Sequence, residues 1–158
     1  MSAQLMFDTA PLGALIRFSD SRPKPPPRFT KKLAAWVQKN GVGRLVRKEA
    51  AIRRGNHTTA ASITLHHGNF ASGGIVVVIA YMTYAVSSAL TFEIVEHPPA
   101  GSVRVLQPFG ETMELLHLAA DFAQAEAWLR ANSYRGAILE PVNAEDNPAA
   151  LHSVQTPA

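Results

Sequence analysis

Between Gly55 and Phe92 the chain contains no Asp, Glu, Lys or Arg. A stretch of this length without charge either crosses a bilayer or is buried by the rest of the protein. The window Gly73 to Phe92 is long enough to span, and the basic residues ahead of it would then lie on the cytoplasmic side. However, the strongly apolar run extends only from Ile75 to Met82, and Thr83, Ser87, Ser88 and Thr91 interrupt the remainder of the window. Tyr84, Val86, Ser88, Leu90, Phe92 and Ile94 also recur with period two, which belongs to a sheet and not to a helix. Buried sheet is therefore expected, and a membrane is not an expected partner.

The same alternation marks Ala61 to His66 as a strand, and Gly13 to Phe18, Arg44 to Lys48, Val103 to Leu106, Thr112 to Leu118 and Gly136 to Leu139 also read as strands. Two helices interrupt them. Thr30 is a suitable N-cap for the first, which Asn40-Gly41 ends and along which Leu33, Trp36 and Val37 share one face. Asp121 with Gln124 resembles a capping box for the second, which is expected to bury Phe122, Ala125, Trp128 and Leu129. Both tryptophans are expected to be core anchors. Gly41 and Gly43 lack the spacing of a phosphate-binding loop and read as turn residues. The fold class predicted is α+β, a mainly antiparallel sheet of about six to eight strands with two short packed helices. The expected organisation is a single compact domain over residues 1–142, with a flexible tail over 143–158, where the sequence is polar and Pro-containing.

Charge is distributed unevenly. Residues 1–54 carry twelve Lys or Arg against three acids, a net of +9, while the remainder carries three cations against nine acids, a net of −6. Within the basic third, Arg22-Pro-Lys-Pro-Pro-Pro-Arg28 is a stiff polyproline-type strut that holds its cations extended. Arg28, Lys31, Lys32, Lys39, Arg44, Arg47 and Lys48 lie within a short span and are the candidate binding residues, expected to converge on one face. Their expected partner is nucleic acid, DNA or RNA, bound largely without sequence preference, because none of these residues is identifiable as a base reader. An alternative is a protein-interaction or inhibitor module in which the cations meet an acidic protein surface. Internal complementarity between the basic and acidic halves would explain the same asymmetry, and a homo-oligomer is left open.

The absence of cysteine excludes disulfides, zinc-thiolate and iron-sulfur sites, and a cysteine nucleophile. His66 and His67 are adjacent, so on a strand their rings point to opposite faces and do not share a metal. No metal site and no cofactor are expected. Ser87 and Ser88 lack the glycine-flanked turn of a hydrolase nucleophile, and Glu93 and Glu96 fall on opposite faces of a strand. His117, four residues before Asp121, is the one place where a base and an orienting carboxylate could meet, as in a small hydrolase or transferase. A histidine on a strand is more commonly packed, so the protein is read as a non-enzyme. The N-terminal apolar stretch is short, broken by Asp8 and Pro11, and lacks a basic region ahead of it, so a cytoplasmic location is expected. Asn56-His-Thr58 then carries no weight as a glycosylation triplet.

Overall fold

A computed structural model describes residues 1–72 and 75–148, with the side chains of 69–72 and 75–79 left aside. It is an α+β protein with a mainly antiparallel eight-stranded sheet. The elements are α1 (Ala3–Thr9), β1 (Leu15–Ser19), α2 (Thr30–Lys39), β2 (Gly41–Glu49), β3 (Ile52–Arg54), β4 (His57–Thr59), β5 (Ser62–Ser72), β6 (Ile75–Ala85), β7 (Thr91–Glu96), β8 (Val103–Phe109), β9 (Thr112–Ala119), α3 (Phe122–Asn132) and β10 (Ile138–Pro141). A 3₁₀ turn, Ala144–Asp146, comes after β10. Among the described residues no helix is long and apolar enough to cross a membrane.

β2 organises the sheet. Arg44 pairs with Leu15 of β1 on one edge and with His66 of β5 on the other. Further along, Arg47 pairs with Thr64 of β5 and with Glu114 of β9, so β1 and β9 share one edge of β2 in succession. The sheet therefore forks at β2, giving the order β10-β8-β9-β2-β1-β7, while β5 and then β6 extend from the opposite edge. A bulge between Leu45 and Arg47 lies at the fork, where the extra residue bends the strand.

Each branch buries its own apolar face. Under α1, Ala3 and Met6 pack with Ile16, Phe18, Leu45, Ile63, Leu65, Tyr84 and Phe92. Beneath α3, Val103, Val105, Ala119 and Ala125 are buried, with Trp128, Leu129 and Leu139 against them. Val46, Leu106 and Leu115 form a third buried group, which shares Leu12 with the first. Full burial of side chains of this size stabilises by about 1.5–3 kcal/mol each. The Arg104 side chain of β8, 4% exposed, ties the segment ahead of β1 to β10 and the turn after it. It donates to the Leu12 carbonyl at 2.8 Å and pairs with Glu140 at 3.1 Å and Asp146 at 3.0 Å.

Several expectations change. α1 is a third helix, and its Ser2 cap accepts from Leu5 N, a signal masked by the brevity of the segment. The period-two run from Tyr84 to Ile94 is divided between β6 and β7 by a turn after Ala85. Gly41 and Gly43 are not turn residues but lie within β2, where a Cβ would stand 3.0 Å from the Phe18 ring and 2.9 Å from Leu65 Cβ respectively. Thr30 does not cap α2, since Phe29 occupies the cap position without a side-chain bond. Phe122 is exposed, because α3 buries only Ala125 and half-buries Trp128 and Leu129. At the expected tail, the turn at Ala144–Asp146 is anchored through Asp146 to Arg104 and His97. Residues 149–158 of that tail lie outside the described residues.

Candidate functional site

α2 differs from the other two helices in burying no residue. Its apolar face is covered only in part. Leu33 and Trp36 are half-buried, whereas Val37 and Phe29 are exposed. Trp36 is consequently no core anchor: its indole Nε1 donates to the Arg22 carbonyl at 2.8 Å, so the ring serves to hold the proline strut against the helix. Asn40 fastens the other end. Its amide donates to Asp20 Oδ1 at 2.8 Å and to the Trp36 carbonyl at 3.0 Å, while its oxygen accepts from Ser19 Oγ at 2.7 Å and from Asp20 N at 3.2 Å. The Asn40 amide is the main cause that holds the Asp20 carboxyl below its usual range.

The strut and α2 interleave cations with aromatic faces. Lys24 Nζ lies 5.9 Å from the Trp36 ring centre, and the Arg28 guanidinium and Lys32 Nζ lie 4.8 and 5.1 Å from that of Phe29. Among the described residues, none of Lys24, Arg28, Lys31, Lys32 and Lys39 enters an ion pair. The remaining three candidates are placed otherwise. Arg44 Nη1 donates to the Gly13 carbonyl. Arg47 pairs with Glu49 at 3.2 Å and Glu114 at 3.4 Å, and lies 3.9 Å over the Phe109 ring. Lys48 donates to the carbonyls of Phe7 and Ala10 at 3.1 and 2.8 Å, at the C-terminal end of α1. Burial lowers its pKa below the ordinary lysine value, against the opposing pull of Asp8 and Asp146. Arg28, Lys31, Lys32 and Lys39 thus share the strut and helix, while Arg44, Arg47 and Lys48 serve internal contacts. Internal complementarity accounts for part of the charge asymmetry, since Arg17 also pairs with Glu93 at 2.9 Å.

His117 occupies a second place of interest. The face of β2, β5 and β6 turned away from α1 looks across a cleft of about 590 Å³ toward β9 and α3. On one wall Arg44, His66 and Tyr81 are neighbours in a single row across three strands. On the other, the His117 ring stacks on Trp128 at 5.0 Å and 3°, and Trp128 stacks on Tyr134 at 5.5 Å and 7°. Asn132 lines the same cleft, and its amide donates to the Trp128 carbonyl at 2.8 Å. Burial lowers the His117 pKa and raises that of Tyr81, the latter aided by Glu114 and Tyr134. Asp121 does not orient His117; its Oδ1 accepts from Gln124 N at 2.8 Å as the cap of α3. His66 and His67 do face opposite ways, the first beside Tyr81 in the cleft and the second edge-on to Phe18 in the core. His67 Nε2 is buried without a hydrogen-bond partner among the described residues. Among the same residues no cluster of His, Asp and Glu has the arrangement of a metal site.

Sequence reasoning found His117 but not its companions. Trp128 and Tyr134 flank the end of a helix, and only a known strand register places Arg44, His66 and Tyr81 in one row. No curated protein and no solved structure is similar enough to match this chain. A family model does match, over residues 1–146, nearly the whole of the described structure, and the chain belongs to the family described as Uncharacterised conserved protein UCP036055.

Proposed function

We propose that this protein is a non-enzymatic accessory factor that binds nucleic acid through the proline strut and α2, largely without sequence preference. One observation carries the reading. An amphipathic helix that buries none of its residues presents cations that enter no ion pair among the described residues beside the exposed ring of Phe29 and the half-buried ring of Trp36. Phosphate neutralisation by such cations is independent of sequence, and exposed rings add stacking that every base can accept. The interface is accordingly Arg28, Lys31, Lys32 and Lys39, joined by Lys24 from the strut. Arg44, Arg47 and Lys48 contribute to the field but are committed to internal acceptors. A cytoplasmic location accords with this role.

A mobility-shift titration at two or more salt concentrations tests it. Neutralisation of about four phosphates gives a slope of log K against log salt near −4, and each Lys→Ala on α2 removes about one unit. Lys31→Glu with Lys32→Glu is the stringent control. Absence of binding to DNA and RNA at low salt overturns the proposal in favour of an acidic protein partner for the same cations.

A further inference from the structure

The cleft between the Arg44–His66–Tyr81 row and the His117–Trp128–Tyr134 stack has the properties of a small-molecule site separate from α2. Its volume of about 590 Å³ falls within the roughly 300–1,000 Å³ usual for ligand pockets. Val46 and Leu115 supply apolar floor, and convergent polar groups come from both walls. Among the described residues no Asp or Glu lines it, and Arg44 is the one permanently charged lining residue. The bond from Arg44 Nη1 to the Gly13 carbonyl fixes the guanidinium in place and leaves further N–H donors for a second acceptor. Three nearly parallel rings form the facing wall, His117 and Tyr134 each stacking on Trp128. A planar ligand that lies parallel to these rings gains offset-stacked contact with them.

We propose that this cleft binds a small planar aromatic or heteroaromatic anion, its ring continuing the His117–Trp128–Tyr134 stack and its carboxylate or phosphate held by Arg44. Charge-assisted hydrogen bonds from a fixed guanidinium favour an anion over its neutral counterpart. Burial keeps His117 below its ordinary pKa, so the positive charge at neutral pH is concentrated at Arg44 and not at the stacked ring. The Tyr81 hydroxyl and the neighbouring His66 complete the polar wall on which the anionic group comes to rest.

The test uses the full chain carrying Trp36→Phe, which leaves Trp128 as the single tryptophan. Trp128 fluorescence is titrated with 4-hydroxybenzoate and with adenosine 5′-monophosphate, each compared with its neutral counterpart, methyl 4-hydroxybenzoate or adenosine. Saturable change with one anionic probe is expected, about tenfold or more tighter than with the neutral one. Which probe binds distinguishes carboxylate from phosphate. Arg44→Met is expected to weaken binding by about tenfold or more. Tyr134→Ala, at an exposed ring, is expected to weaken it with the melting curve little changed, and it keeps the test decisive if Arg44→Met does not fold. The proposal is overturned if neither anion gives a saturable change up to about 5 mM, if neutral and anionic probes bind alike, or if the folded variants bind as the parent does.

Discussion

Asn40 and Asp20 are bound side chain to side chain at 2.8 Å, and through this pair the C-terminal end of α2 is fixed to the end of β1. Because α2 buries nothing of its own, this polar clamp and the Trp36 indole bond carry its attachment. Asn40→Ala removes bonds to Ser19, Asp20 and the Trp36 carbonyl without touching a cation. A stability loss of about 1–3 kcal/mol is expected, together with weaker nucleic-acid binding at an unchanged salt slope. Denaturant unfolding and mobility-shift titration of the same variant measure both.

Trp36→Ala is expected to cost about 1–2 kcal/mol, well under the value of roughly 3–5 for a core tryptophan, because the ring is half-exposed. Thermal melting checks this. A loss of core size would mean that α2 packs far more tightly than its exposed surface implies.

Gly43→Ala places a Cβ 2.9 Å from Leu65 Cβ and 3.2 Å from the His66 carbonyl oxygen, at the paired centre of the sheet. Strands β2 and β5 must separate to admit it. The expected cost is about 1–3 kcal/mol, seen as a lower denaturation midpoint with an unchanged m-value. Gly101→Ala meets no atom within 4 Å, but its φ of +84° is strained for alanine, so its cost arises from the backbone alone.

His67 and His117 both have pKa values lowered from 6.5, mainly by burial, with His66 adding to the effect on His67. Below about pH 6.5 the unfolded chain takes up protons that the folded chain refuses, so stability falls as pH drops through this region and is regained above it. Melting temperatures at about pH 7.5 and pH 5.5 should show the decline. His117→Phe, which retains a ring against Trp128, should make it shallower.

Arg104→Met should destabilise by about 2–3 kcal/mol, below the full cost of breaking a buried pair, since Glu140 can turn to water while the Leu12 carbonyl loses its donor. Limited proteolysis is the accompanying measurement: cleavage after Pro141 should accelerate because Asp146 loses its anchor.

Strand positions were legible wherever one face is apolar and the other polar, as in Ala61 to His66, and Asp121 announced the start of α3. The placement of α2 was not. Leu33, Trp36 and Val37 have the spacing of a core-facing stripe, yet the strut and not the sheet covers part of them, a choice of tertiary partner that periodicity does not encode. Gly41 and Gly43 likewise resemble turn residues unless the close approach of Phe18 and Leu65 is known. In the cleft, Arg44, His66 and Tyr81 are widely separated in sequence and become neighbours only through register.

β1 lies between β2 and β7, pairing Leu15–Ser19 with strand residues up to Glu96. During synthesis the basic third therefore emerges from the ribosome well before the strand that completes its sheet. Until Thr91–Glu96 has emerged, β1 has one open edge, the kind of surface that recruits foreign strands. Nascent chains halted before Glu96 should consequently depend on chaperones, whereas those extended beyond it should close their first core while β8 to β10 are still being made.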